Sequence, residues 1–306
     1  MEQIIDYINS FKQSDSFSIE TVYLLKVINS KAGFFYHDSR VVFAELSNEG
    51  KKTRIETSLL TLITGLKMTS IQSNQKFPDG MYNVIYYNGS LSDNYLESFM
   101  RLCSIYADNL DFDFIDFFNS LISIFQLESE KKSKDVIGLF GELIIIKNLY
   151  EKYSLNLARY WHLNGKNSKY DFQLRDFNIE VKSSASESNA FILKHSQIFN
   201  RDHNLLIIVK LEKGQLELQE LLTYFLNKMP FSNDMNFQIK LHECIINLSH
   251  NELKKGFSLI NAYLYDCRKI DTIKLIPDEI NNLIYEYTFD LSQGESIKSL
   301  VKLIQD

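Results

Sequence analysis

Between Tyr170 and Ser184 the chain reads YDFQLRDFNIEVKSS, two alternating stretches either side of a polar Arg175-Asp176 pair. Tyr170, Phe172 and Leu174 alternate with Asp171 and Gln173; Phe177, Ile179 and Val181 alternate with Asn178, Glu180 and Lys182. A period of two is the mark of a strand with one buried face, which ties this segment to a sheet. With Arg175-Asp176 as a two-residue turn, the register is arithmetic: Leu174 faces Phe177, Phe172 faces Ile179, and Asp171 faces Glu180. Directly opposed residues have Cβ atoms roughly 4.5–5.5 Å apart, and like charges placed so are destabilising. A cation between the two carboxylates removes that penalty, and Lys182 projects from the same face one step along. Two acids and a lysine converging in this way describe a Mg²⁺ site with a base or charge stabiliser beside it.

A second constraint lies upstream. Residues Asp135–Tyr150, DVIGLFGELIIIKNLY, are apolar on nearly every side, so the helix they form is expected to be largely buried. Gly138 and Gly141 lie within it, each costing about 1 kcal/mol against alanine. Their spacing puts them on one face, with Glu142 on the same side. That face is expected to pack closely against a backbone, holding Glu142 in a nearly apolar wall. Buried carboxylates are rare unless paired or coordinating a metal, which makes Glu142 a functional candidate.

Asp171 followed by Glu180-Val181-Lys182 resembles the PD-(D/E)XK nuclease superfamily, with Asp171 in the place of the first acid and Glu180-Val181-Lys182 in that of E-x-K. The series G-x-x-G-E-L on a helix, a tryptophan, a D-F pair and E-V-K is similar to a group of PD-(D/E)XK proteins met in bacterial defence gene clusters. The residue before Asp171 is Tyr170 where the superfamily signature has proline. The resemblance implies an α/β fold: a restriction-endonuclease-like sandwich with a central mixed sheet, here preceded by a smaller β-rich N-terminal domain. It implies Mg²⁺-assisted hydrolysis of phosphodiester bonds, with Mn²⁺ as a substitute. Asp171, Glu180 and Glu142 would hold the ion with the Val181 carbonyl, and Lys182 would orient the attacking water, lower its pKa or stabilise developing charge. In that group a short polar helix follows the E-x-K strand, which brings in Lys194 and Gln197. Ser183 after the motif, and Lys166 and Lys169 before it, are further candidates to touch substrate. The expected substrate is double-stranded DNA, and the expected partners are a second copy or other proteins of a defence system.

The rest of the chain fits two domains, 1–130 and 131–306, joined at the polar run Glu128–Lys134. In the first, Met1–Phe11 has helical spacing, and short strands follow from Thr21 to about Glu56 with turns at Asn29-Ser30-Lys31, His37-Asp38-Ser39 and Asn48-Glu49-Gly50. Leu59–Met68 is apolar and ambiguous. A turn at Phe77–Gly80 leads to a strand, and Asp93–Ala107 and Phe112–Leu127 pattern as helices. In the second, Leu205–Leu211 is nearly continuously apolar, as in the middle of a sheet. Amphipathic helices are expected over Gln215–Met229 and Asn236–Leu248, strands near Ala262–Arg268 and Ile284–Leu291, and a last helix at Glu295–Ile304.

Several functions are excluded or disfavoured. A formal net charge of −6 argues against a protein that coats nucleic acid without discrimination, though a local basic cleft is compatible with it. Cys103, Cys244 and Cys267 are far apart, offer neither a disulfide framework nor a zinc spacing, and suit a reducing cytoplasm. The first residues carry acids rather than a signal sequence, and no apolar run approaches the ~18 residues of a membrane span. Gly165-Lys166 lacks the upstream glycine of a P-loop, and His242-Glu243 lacks the second histidine of a zincin. Asp111, Asp113 and Asp116 read as the acidic start of a helix, and the one tryptophan, Trp161, as core packing. Two rivals to an enzyme are a nuclease-fold subunit that binds DNA or a partner without cutting, and a structural interaction protein.

Overall fold

The computed structural model of the chain describes residues 8, 22–47, 52–68, 77–91, 94–109, 112–125, 135–162, 170–194, 204–269 and 284–305. Apart from Ile8, the helix expected over Met1–Phe11 lies outside them, as do the turn at Asn48-Glu49-Gly50 and the whole of Glu128–Lys134. The chain divides into two compact units, Met1–Lys132 and Ser133–Asp306.

The first unit contains β1 (Tyr23–Val27), β2 (Ala32–His37), β3 (Arg40–Leu46), β4 (Arg54–Glu56), β5 (Leu60–Met68), β6 (Gly80–Tyr87), α1 (Asn94–Ala107) and α2 (Phe114–Phe125). The strands form one antiparallel sheet in the order β1-β2-β3-β6-β5-β4. The turns are local chemistry. Asn29 Oδ1 accepts from the backbone N–H groups of Lys31 and Ala32, both at 2.8 Å. Asp38 and Ser39 take φ of 51° and 59°, the two left-handed residues that a two-residue hairpin turn demands. Asp113 Oδ1 caps α2 by accepting from the N–H of Ile115 at 2.7 Å, which is the helix-start role expected of it. The ambiguous Leu59–Met68 is strand β5. Pairing with β6 decided it, and the register shift between Ile63 and Leu66 falls where Gly65 has φ 62°.

The second unit contains α3 (Val136–Tyr153), β7 (Phe172–Gln173), β8 (Asn178–Ser184), β9 (Ala190–Lys194), β10 (Asn204–Glu217), α4 (Leu218–Asn227), α5 (Met235–Ile246), α6 (His250–Leu253), β11 (Gly256–Asp266), β12 (Ile284–Thr288), β13 (Glu295–Ser296) and α7 (Lys298–Gln305). Five strands form a sheet in the order β13-β11-β10-β8-β7, and β9 pairs with β12 in a separate ribbon. β8 and β10 are parallel and the other pairs antiparallel, so the sheet is mixed. The apolar run Leu205–Leu211 lies in its centre, buried on both faces. Ile207 and Val209 join Phe140, Leu143 and Ile145 of α3, with Leu221, Phe225, Phe237 and Leu241 from α4 and α5, in the main core. Leu206 and Ile208 face the other way, against Phe191, Leu193, Tyr265, Cys267 and Phe289. This is the α/β sandwich about a mixed sheet that the resemblance implies.

β10 and β11 run longer than their sequence suggests, and α4 starts at Leu218 rather than near Gln215. The extension is polar on the surface and carries no alternation to read. It forms because each strand supplies the other's hydrogen bonds, with a register shift between Lys213 and Leu216. A Cβ on Gly256 would stand 2.5 Å from the Gly214 carbonyl oxygen, so the two backbones touch there as only glycine allows. Among the described residues, no helix is long and apolar enough to cross a membrane.

Candidate active site

The site is built on β8. Ile179 and Val181 belong to the core beneath α3, so Glu180 and Lys182 point to the opposite face. Glu180 is level with Leu206 and Lys182 with Ile208, which places the carboxylate among the apolar side chains of that second cluster. Glu180 is 1% exposed as a result.

The hairpin has the register the alternation dictates. Phe172 pairs with Ile179, Gln173 with Asn178, and the Leu174 N–H donates to the Phe177 carbonyl at 3.0 Å. One step further along that register would set Asp171 opposite Glu180, but β7 begins only at Phe172 and the ladder does not extend to that pair. The Asp171 side chain takes over the ladder's role: its Oδ2 accepts the backbone N–H of Val181 at 2.7 Å. The Asp171 carbonyl in turn accepts the N–H of His162 at 2.7 Å, beside a bridge from Trp161 to Phe172. Asp171 is 1% exposed, fixed from both its backbone and its side chain.

Lys182 Nζ lies 2.8 Å from Glu180 Oε1. Burial by itself would pull the ammonium's pKa down. The charge and hydrogen bond of Glu180, with smaller contributions from Asp171 and Glu142, outweigh it and raise the pKa above 10.5. Lys182 therefore stays charged and feels all three carboxylates. Cys267 lies on the Glu180 side. Burial, then Asp266 and Glu180, push its thiol up to about 12, so it is a protonated packing residue and not a thiolate ligand.

Glu142 comes from α3. Asp135 caps that helix, its side chain accepting the Ile137 N–H at 3.0 Å. Gly141 decides how closely the helix approaches the sheet: a Cβ there would stand 1.7 Å from Ser183 Oγ and 2.7 Å from Ser183 Cβ. Gly138 does something else, since a Cβ on it would meet only Asp135 of its own cap, at 3.2 Å. Of the two glycines expected to press on a neighbour, one does. Glu142 itself is half-buried rather than sealed in an apolar wall, and its Oε2 accepts the Trp161 indole N–H at 2.6 Å.

The structure thus brings Glu142, Asp171, Glu180 and Lys182 into one electrostatic neighbourhood. Ser183 stands apart, on the α3 side of β8 with its hydroxyl buried against Gly141. Lys194 closes strand β9, so the polar helix expected after the E-x-K strand does not begin there. Lys166, Lys169 and Gln197 lie outside the described residues. Among the described residues no three His, Cys, Asp or Glu side chains are grouped as metal ligands; Glu142 is turned to Trp161 and Glu180 to Lys182.

Residues 117–292, more than half of the chain, match a family model described as "Putative PD-(D/E)XK family member, (DUF4420)". The chain belongs to this family. The DUF4420 match takes in every candidate from Glu142 to Gln197, and the mixed-sheet sandwich around β8 agrees with a PD-(D/E)XK fold. No curated protein and no solved structure matches the chain.

Three contacts around the site of this DUF4420 member were missed by sequence reasoning. The Trp161 indole holds Glu142, although core packing was its expected role, and the ring is indeed fully buried against Phe237. Lys240 Nζ donates to the Trp161 carbonyl across 79 residues, a distance over which sequence gives no signal. Lys210 Nζ donates to the carbonyls of Ser186 and Ser188, both at 2.7 Å, tying down the loop that leaves β8. Here a signal existed: a lysine inside the run LLIIVKL needs a buried partner.

Proposed function

We propose that the second unit is a divalent-metal-dependent nuclease that hydrolyses phosphodiester bonds of DNA. Membership of a PD-(D/E)XK family supports a nuclease-like protein. The observation that carries the finer reading is the juxtaposition of two carboxylates, Asp171 and Glu180, each 1% exposed, with the Lys182 ammonium 2.8 Å from one of them. Buried acids in such proximity call for cationic charge.

The residues suit a hard cation. Every donor is an oxygen, and the set mixes carboxylates with a backbone carbonyl, which suits Mg²⁺ or Mn²⁺ rather than zinc. Asp171 and Glu180 would hold the ion, with Glu142 beside them. The N–H and C=O of one strand residue leave by the same edge, so the Val181 N–H bonded to Asp171 brings its carbonyl to that side as well. What the ion supplies when bound is Lewis-acid polarisation of a phosphate oxygen and a more acidic water. Lys182 contributes a fixed positive charge, raised in pKa by the acids around it, for the charge that develops on the phosphate oxygens. Asp171, held at two points, contributes a preorganised carboxylate.

The preferred substrate is double-stranded DNA, and the setting is anti-phage defence or restriction, with a second copy or other defence proteins as partners. One observation favours a second reading, a non-cleaving subunit that binds DNA or a partner: Glu180 is already ion-paired with Lys182 and Glu142 already hydrogen-bonded to Trp161.

The test is a thermal melt of wild type, Asp171→Asn and Lys182→Ala with and without millimolar Mg²⁺ or Mn²⁺, alongside cleavage of plasmid DNA. A ligand at 100 times its Kd stabilises by about 2.7 kcal/mol. Wild type should gain stability with metal and nick DNA; Asp171→Asn should lose both responses. Asparagine keeps an acceptor for the Val181 N–H, so without metal Asp171→Asn should melt no lower than wild type. A metal response with no cleavage would favour the binding subunit, and a wild type blind to metal and inert on DNA would sink the nuclease reading.

A further inference from the structure

We propose that Trp161 is a positioning residue for the Glu142 carboxylate, and that the chain's one tryptophan thereby reports cation binding at the site. The inference rests on the reading of Asp171, Glu180 and Glu142 as the cation-holding set.

The indole Nε1 donates to Glu142 Oε2 at 2.6 Å, a charge-assisted bond. The ring is fully buried and lies 5.4 Å, centroid to centroid, from Phe237. Its backbone is fixed as well: the carbonyl accepts from Lys240 Nζ, the N–H donates to the Ala158 carbonyl at 3.1 Å, and the residue bridges Phe172. The next N–H, that of His162, goes to the Asp171 carbonyl at 2.7 Å. One dipeptide therefore holds the side chain of one candidate ligand and the backbone of another. Packing accounts for an aromatic ring here but not for the direction of its N–H. A buried indole needs an acceptor, and the one it takes is a carboxylate on a helix that Gly141 draws against the E-x-K strand. With Oε2 held, the direction of the whole carboxylate is set, so Glu142 need not be ordered when a cation arrives. Partners of this kind, hydrogen-bonded to a ligand rather than to the ion, typically change metal affinity by about 10–100-fold when mutated.

The experiment is Mn²⁺ binding to the full chain, read from the electron paramagnetic resonance signal of the free ion, for wild type, Trp161→Phe, Glu142→Gln, Asp171→Asn and the Trp161→Phe/Glu142→Gln double variant. Wild type should bind and Asp171→Asn should not. Trp161→Phe, which keeps the ring and loses the N–H, should bind about 10-fold more weakly or worse. The double variant should be no weaker than Glu142→Gln alone, because the indole acts through that carboxylate. A second readout leaves the tryptophan in place: added Mg²⁺ should change the emission of wild type and leave that of Glu142→Gln unchanged, which decides the matter even if Trp161→Phe folds poorly. Equal Mn²⁺ affinity in wild type and Trp161→Phe, or an emission blind to Mg²⁺ in a protein that binds Mn²⁺, would overturn the positioning role alone. A wild type that binds no Mn²⁺ would overturn the cation site and this inference with it.

Discussion

Replacing Gly141 by alanine tests how α3 is seated on β8. In an exposed helix the change would stabilise by about 1 kcal/mol, because glycine is the poorer helix former. Here the new Cβ would stand 1.7 Å from Ser183 Oγ and 2.7 Å from Ser183 Cβ. Rotation of the serine hydroxyl removes the first clash but not the second, since that Cβ is fixed to the strand backbone. The helix must retreat until 2.7 Å becomes the 3.4–4 Å of an ordinary contact. Overpacking of this kind costs about 1–3 kcal/mol, and a clash this short belongs at the upper end. The net expectation is a loss of about 1–2 kcal/mol. In a Ser183→Gly background the nearest remaining atom is Val209 Cβ at 3.8 Å, so the same Gly141→Ala change should now gain about 1 kcal/mol. The coupling in the double-mutant cycle is then about 2–3 kcal/mol. Urea unfolding followed by tryptophan emission is the assay, because Trp161, the one tryptophan, lies in the second unit. A stabilising Gly141→Ala in the wild-type background, or a cycle that closes with no coupling, would refute the seating of the helix on Ser183.

Two further expectations concern buried polar groups. Lys182→Met leaves the Glu180 carboxylate without the ammonium 2.8 Å away; breaking a buried pair costs about 3–5 kcal/mol, reduced here toward about 2–3 because the lysine side chain is 27% exposed. Because the folded pKa of Lys182 is raised, that contribution is fully present below the ordinary 10.5 and is lost as pH rises through the folded value. As pH is raised from neutral, the stability gap between wild type and Lys182→Met should therefore hold until the lysine begins to titrate; a gap already gone by about pH 8 contradicts the sign of the shift. Gln238 is fully buried, and its Nε2 donates to the carbonyls of Phe225 and Phe231 at 3.1 and 3.0 Å. The Phe231 carbonyl also accepts the Asp234 N–H at 3.1 Å, so Gln238→Leu strands the Phe225 carbonyl at about 1–3 kcal/mol; thermal denaturation should drop by a few degrees, and an unchanged melt would show that this carbonyl finds another partner.

Local spacing carried the geometry of the hairpin, while the fold class came with the family resemblance. Period-two alternation from Tyr170 to Val181 left one register for β7 and β8, because a shift by one residue exchanges the buried and exposed faces. The nearly continuous apolar run Leu205–Leu211 marked a central strand, and the helix apolar on nearly every side marked a largely buried one. These are local signals, written in the spacing of neighbours.

Tertiary structure decided what local spacing does not carry. Leu60–Met68 became a strand because β6 was there to pair with it, and polar Lys213–Glu217 extended β10 because β11 supplied the hydrogen bonds. The same holds at the candidate site. Gly138 and Gly141 are equivalent in sequence, yet only Gly141 meets the strand. Ser183 follows Lys182 directly, yet alternation turns it to the α3 side, where its hydroxyl is buried. The Trp161 indole found Glu142, and Lys240 found the Trp161 carbonyl, through contacts 19 and 79 residues apart along the chain. Which acceptor a buried donor takes depends on where folding delivers the two groups in space, and one chain's residue spacing does not encode that meeting.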